Sequence, residues 1–221
     1  MSSIKPLPGK KIAALVNSTQ SPEDLIKLLD ERYKIYRKWA FKPMLGAPES
    51  ELWTRWMLPE YPCNLIASQA VELTFQYRQS MGRRLMQPYA REILAELSHR
   101  GYHLGIISNV ISSREIPDWL EAEHLNCFFE AVVLSSLFHR RKPDPEIYLE
   151  ASRRIGVPSQ KCVYVGDNPK RDVTGTRNAG FGMVILLMDP QENAHQPPEG
   201  EQIPDLVIHD FKQLLEVFPA H

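Results

Sequence analysis

The chain has 221 residues, 43% of them hydrophobic and 24% charged, with a formal net charge of -1. That length can bury one moderate domain or a core with a smaller module, and the balanced charge leaves no general basic surface for nucleic acid or an anionic membrane. No apolar run reaches the roughly 18 to 20 residues of a membrane span and no secretory pattern opens the chain, so a cytoplasmic location is expected. Three widely spaced cysteines, Cys63, Cys127 and Cys162, fit neither a disulfide framework nor a zinc site.

In chain order, Ser21-Pro22-Glu23-Asp24 reads as an N-cap with proline at the first helical position, and Leu25, Leu28, Leu29, Tyr33 and Tyr36 follow at helical spacing. Further helices are predicted over Ser50 to Met57 and over Leu65 to Ser80, where Ile66, Ala70, Leu73 and Tyr77 share a face. The composition changes near residue 85, which divides the chain into a helical module, 1–84, and a second module, 85–221.

In the second module a helix opens at Pro88 and stops at Gly101, and a strand follows from Tyr102 to Ser108. The alternation continues: a helix at Ile116 to Glu123, a strand at Ala131 to Leu134, a helix from Pro145 to Ile155 closed by Gly156, and a strand at Cys162 to Val165. A helix over Arg171 to Ala179, strands at Met183 to Leu187 and Leu206 to Ile208, and a helix capped by Asp210 complete it; Asp189 to Pro204 reads as a surface loop. Apolar strands separated by helices predict an α/β fold with a Rossmann-like parallel sheet covered on both faces.

Ligands of such sheets sit beyond the carboxyl ends of the strands. Ser108 and Asn109 end one strand, and a hydroxyl with the following N–H groups can bind a phosphoryl oxygen, although Ser-Asn is also an ordinary turn. Lys142 stands before Pro143 and Pro145, in a stiff segment that can aim an ammonium at a charged ligand or simply form a solvated basic turn. Asp167 follows Gly166 at a strand end, and Asp172 lies five residues on. One or two carboxylates with a phosphate and waters make a Mg²⁺ site, and an Asp there can also be a helix cap.

Together Ser108-Asn109, Lys142-Pro143-Asp144-Pro145 and the run from Gly166 to Asp172 resemble the haloacid dehalogenase superfamily, over residues 84 to 221. The helical first module is similar to the small helical cap of that family. The resemblance implies a phosphatase lineage: Asp167 and Asp172 at Mg²⁺, Ser108, Asn109 and Lys142 at the phosphoryl group, and Lys142 with Ser108 in catalysis on a small phosphorylated metabolite through an aspartyl-phosphate. A haloacid dehalogenase is disfavoured by Gly166-Asp167. The family's first motif, a strand ending in Asp-x-Asp, is absent; its nearest mimic is the strand-like run Ile12 to Thr19, with Asn17 and Thr19 at the carboxylate positions. An amide cannot form an acyl-phosphate.

Two accounts of that absence stand open, a chain that begins after its first strand, which is preferred, and a protein that has lost the nucleophile and only binds phosphate or metal. Little or no activity is expected in either case. A missing central strand would leave a gap in the sheet, and residues 11 to 17, another chain or plain instability are the alternatives there.

Overall fold

The computed structural model describes residues 7–191 and 198–220. It divides into two compact units. The first runs to Arg84 and includes Val110–Ala122 and Ser135–His139; the second consists of Leu85–Asn109, Glu123–Leu134 and Arg140 onward.

The first unit is helical. Ser21 Oγ accepts from Asp24 N at 3.1 Å and starts the Pro22–Phe41 helix, whose Leu25, Leu29, Tyr36 and Ala40 are buried. A short α-turn, Glu49–Glu51, continues as a π-helical segment, Leu52–Met57, and then comes the Cys63–Ser80 helix. Ile66, Ala70, Leu73 and Tyr77 of that last helix face inward as their spacing predicts, and each fully buried Leu or Ile contributes about 1.5–3 kcal/mol. Trp53 Nε1 donates to Thr74 Oγ1 at 2.7 Å, which satisfies the indole N–H in the middle of the core.

The run from Ile12 is strand-like in sequence, but Ile12, Leu15 and Val16 also suit the face of a short helix; it forms the Pro8–Leu15 helix, packed on the Pro22–Phe41 and Cys63–Ser80 helices. Proline in its first turn suits a helix start, and Ile12 and Val16, four residues apart, point the same way into the core. At Gly9 an added Cβ would lie 3.0 Å from Pro22 O, so glycine admits the neighbouring helix. Residues 11 to 17 therefore fill no gap in a sheet.

The second unit holds the strands: β1 (Gly105–Ser108), β2 (Ala131–Leu134), β3 (Val163–Gly166), β4 (Met183–Leu187) and β5 (Leu206–Ile208). All pairings are parallel, and they form two sheets, β1-β2 and β3-β4-β5, rather than the single sheet expected. Among the described residues no ladder joins β1 to β3. Leu104, just before β1, shares one apolar cluster with Val163, Val165 and Ile185 of β3 and β4 and with Ile93 and Leu97 of the Ala90–His99 helix.

The Pro145–Ile155 helix, capped by Asp144 Oδ1 accepting from Glu146 N at 2.9 Å, packs on β1 and β2. It ends at Gly156, whose φ of 76° is the left-handed cap expected of glycine there. The helix predicted over Arg171 to Ala179 is a π-helical turn, Pro169–Val173, that leads into Thr174–Asn178. In the predicted loop 189–204, residues 192–197 lie outside the described residues. No described helix is long and apolar enough to cross a membrane.

Candidate functional site

The loops after β1 and β3 and the turn before the Pro145–Ile155 helix bring Asn109, Lys142, Asp167 and Asp172 together in the second unit. Ser108 closes β1 opposite Leu134 in register. Asn109 follows, and both ends of its amide grip the backbone of Lys142: Nδ2 donates to Lys142 O at 2.9 Å and Oδ1 accepts from Lys142 N at 2.8 Å. A short polar side chain at a strand end thus fixes where the lysine starts.

The Lys142 side chain is 7% exposed and reaches Asp172 Oδ1 at 2.9 Å, while donating to Tyr164 Oη at 2.5 Å. An ammonium carries three donors. Two are taken by these partners. Burial pushes the Lys142 ammonium below the usual lysine range, against Asp172, which acts to hold it up.

Asp172 is fully buried. Its Oδ2 accepts from the N–H groups of Asp167 at 3.2 Å and Asn168 at 3.0 Å; its Oδ1 faces Lys142 and, at 3.4 Å, Arg171 Nε. Burial would push its carboxyl up, but Lys142, Arg171 and the Asn168 N–H outweigh that and hold it below the usual carboxylate range. Gly166 is required by this wrap, since an added Cβ would meet Asp172 Oδ2 at 2.6 Å. With four donors on two oxygens, Asp172 spends its lone pairs on the loop and on Lys142.

Asp167 is the opposite case. Its side chain is 80% exposed and has Arg171 Nη2 on Oδ1 at 3.2 Å. It is a hard oxygen donor turned outward with a guanidinium beside it, the type of group a divalent ion takes together with water and phosphate oxygens. Among the described residues no group of three or more His, Cys, Asp or Glu side chains gathers for a metal.

Two members of this cluster were not singled out from the sequence. Tyr164 lies between Val163 and Val165 on β3, and strand alternation sends it to the other face, where it packs with Val173, Val184 and Leu186 and meets Tyr148 edge-on at 5.1 Å between centroids. Burial pushes its phenol well above the usual range, so it stays protonated beside Lys142. Arg171 entered the sequence reading only as the start of a predicted helix, and the π-helical turn brings its side chain back over Asp167. In the first unit Arg78 pairs with Glu115 at 3.0 Å, and Arg55 pairs with Glu51 at 3.0 Å and lies over the Trp56 ring at 4.5 Å.

A family model described as haloacid dehalogenase-like hydrolase matches residues 14–186. The chain belongs to the haloacid dehalogenase-like hydrolase family. Within that family it is 31% identical over 136 residues to a glyceraldehyde 3-phosphate phosphatase of Methanopyrus kandleri, a match covering 60% of this chain and 57% of the relative. It is 30% identical over 146 residues to a phosphoserine phosphatase of Thermus thermophilus, covering 66% and 56%. The chain thus spans little more than half the length of these curated relatives. A crystal structure of a 2-haloacid dehalogenase from Pseudomonas syringae pv. Tomato superposes with a TM-score of 0.65 at 21% identity, over 95% of this chain and 87% of that one, a likeness of fold.

Within this haloacid dehalogenase-like frame, the acidic residues among the first thirty-one, Glu23, Asp24, Asp30 and Glu31, all lie on the Pro22–Phe41 helix of the first unit. Asp30 accepts from Tyr77 Oη at 2.9 Å and so serves the helical core.

Proposed function

We propose that this chain carries the phosphate- and Mg²⁺-binding part of a phosphatase-type site for a small phosphorylated metabolite, in a reducing, cytoplasmic setting that suits its free thiols. Residues 1–84 act as its helical cap. The observation that carries the reading is the buried Lys142–Asp172 pair at 2.9 Å, with Asp167 turned outward from the same loop. A buried ion pair costs desolvation and is seldom a net gain in stability over apolar packing, so a cluster that maintains one beside an exposed carboxylate is better explained by a charged ligand. The names of the two phosphatase relatives support the phosphate class.

In this reading the Ser108 hydroxyl and the N–H groups that follow it bind phosphoryl oxygens, and the third N–H of Lys142 faces developing negative charge. Asn109 holds Lys142 in place, and Asp172 keeps it charged. Mg²⁺ at Asp167, when bound, neutralises phosphate oxygens. An aspartyl-phosphate requires a further, uncommitted carboxylate, since Asp172 is saturated and Asp167 faces the ion. Binding without turnover is therefore the state expected of the 221-residue chain, and these commitments also favour the second reading, a phosphate- and metal-binding protein without catalysis.

Calorimetry with Mg²⁺ and inorganic phosphate tests both. The chain should bind phosphate in a Mg²⁺-dependent way, and Asp167→Asn should abolish the metal dependence. Absence of binding would remove both readings, whereas hydrolysis of p-nitrophenyl phosphate lost on Asp167→Ala would replace the non-catalytic one with an active enzyme.

A further inference from the structure

Arg171 supplies a charge that the phosphatase reading does not use. Its backbone is pinned on both sides: Asn168 Oδ1 accepts from Arg171 N at 2.9 Å, and Tyr148 Oη donates to Arg171 O at 3.1 Å. The π-helical turn Pro169–Val173 then directs the side chain back across the loop, with Nη2 at 3.2 Å from Asp167 Oδ1 and Nε at 3.4 Å from Asp172 Oδ1. Both contacts are longer than the roughly 2.7–2.9 Å of a strong charge-assisted hydrogen bond, and the guanidinium is about one-third exposed. Lys142 on Asp172, at 2.9 Å and buried, is the tight partner by comparison.

The formal charges in the cluster are two carboxylates, Asp167 and Asp172, against two cations, Lys142 and Arg171. They sum to zero. A neutral cluster offers a dication little net attraction, and a cation can take Asp167 only by moving the guanidinium aside.

We infer that Arg171 is the resident counter-ion of Asp167, displaced when a divalent cation binds, and that it sets the metal affinity of this centre. The inference rests on the reading that Asp167 holds the metal. A weak, partly exposed pair is suited to this part, because an exposed ion pair is readily given up and a buried one is not. The outcome is a centre that holds cations only weakly until a phosphate adds negative charge, so metal and phosphate bind with mutual help.

The test is Mn²⁺ binding to the full 221-residue chain, followed by calorimetry and by the electron paramagnetic resonance of free Mn²⁺, for wild type, Arg171→Gln, Arg171→Lys and Asp167→Asn. Arg171→Gln should tighten Mn²⁺ binding by about two- to fivefold, with a gain that shrinks at high salt. Arg171→Lys, which retains the charge, should return the affinity toward wild type, and Asp167→Asn should remove binding. Equal or weaker binding by Arg171→Gln, with Asp167→Asn still abolishing it, would overturn the role of Arg171 and leave the metal reading intact. No Mn²⁺ binding by any of these proteins would overturn both.

Discussion

Each unit buries carboxylates, and two of them, Glu49 in one unit and Asp172 in the other, are treated in opposite ways. In the helical unit Glu49 is 8% exposed and accepts from Ser113 N at 3.1 Å and Ser113 Oγ at 3.0 Å. Burial pushes its carboxyl up, and Ser113 with the more distant Arg114 does not reverse that. In the strand unit Asp172 is more completely buried, yet Lys142, Arg171 and backbone N–H groups hold it below the usual range. Burial therefore does not decide the charge of a carboxylate; the number and sign of the donors that converge on it do. Two neutral serine donors steady a carboxyl group, while an ammonium, a guanidinium and two amides commit it to being an anion.

The largest effect should come from removing that anion. Asp172→Ala leaves the Lys142 ammonium buried without a counter-charge and should cost about 3–5 kcal/mol in urea unfolding. Replacing both, Asp172→Leu with Lys142→Met, should recover much of the loss; a double variant as unstable as the single one would mean the pair is not the source. Glu49 gives the next effect, through pH. Its folded value lies above the unfolded one of about 4.3, so its contribution is fully present below that value and is lost as pH rises through the raised folded value. Asp172 has the reverse sign: its contribution is present above about 3.9 and is lost as pH falls through its depressed folded value. Wild type should accordingly gain stability relative to Glu49→Gln as pH falls from neutral toward about 4.3, and a difference that shrinks over that range would contradict the assignment. The smallest effects should be equal in the two units. Ser21→Ala and Asp144→Ala each remove one helix N-cap and should each cost about 1 kcal/mol; a much larger loss at Asp144 would extend the charged network of the second unit as far as its helix cap.

The alternation of apolar strands and helices was legible because it depends on local periodicity, and the strand positions from Gly105 to Ile208 follow it closely. The proximity of Lys142, Asp167 and Asp172 was legible in part, because Pro143, Gly166 and Pro169 mark the turns that carry them. The Pro8–Leu15 helix was less legible, since Ile12, Leu15 and Val16 suit either period over so short a run and packing on two other helices decided the matter. Division of the strands into two sheets has no local signal at all. Arg171 was hidden for another reason: its neighbours in sequence are Lys170 and Asp172, and only a π-helical turn, which a 3.6-residue reading does not anticipate, folds its side chain over Asp167.

The grip of Asn109 on Lys142 spans 33 residues and the Lys142–Asp172 pair a further 30, so Lys142 is the knot where two long loops close. Closing each loop carries an entropic cost that grows with the logarithm of its length. None of these polar contacts repays that cost until the apolar strands have already drawn the loops together. The charged centre should therefore form late in folding, and changes to its residues should speed loss of the native state more than they slow its formation, which unfolding and refolding rates of Asp172→Ala would check.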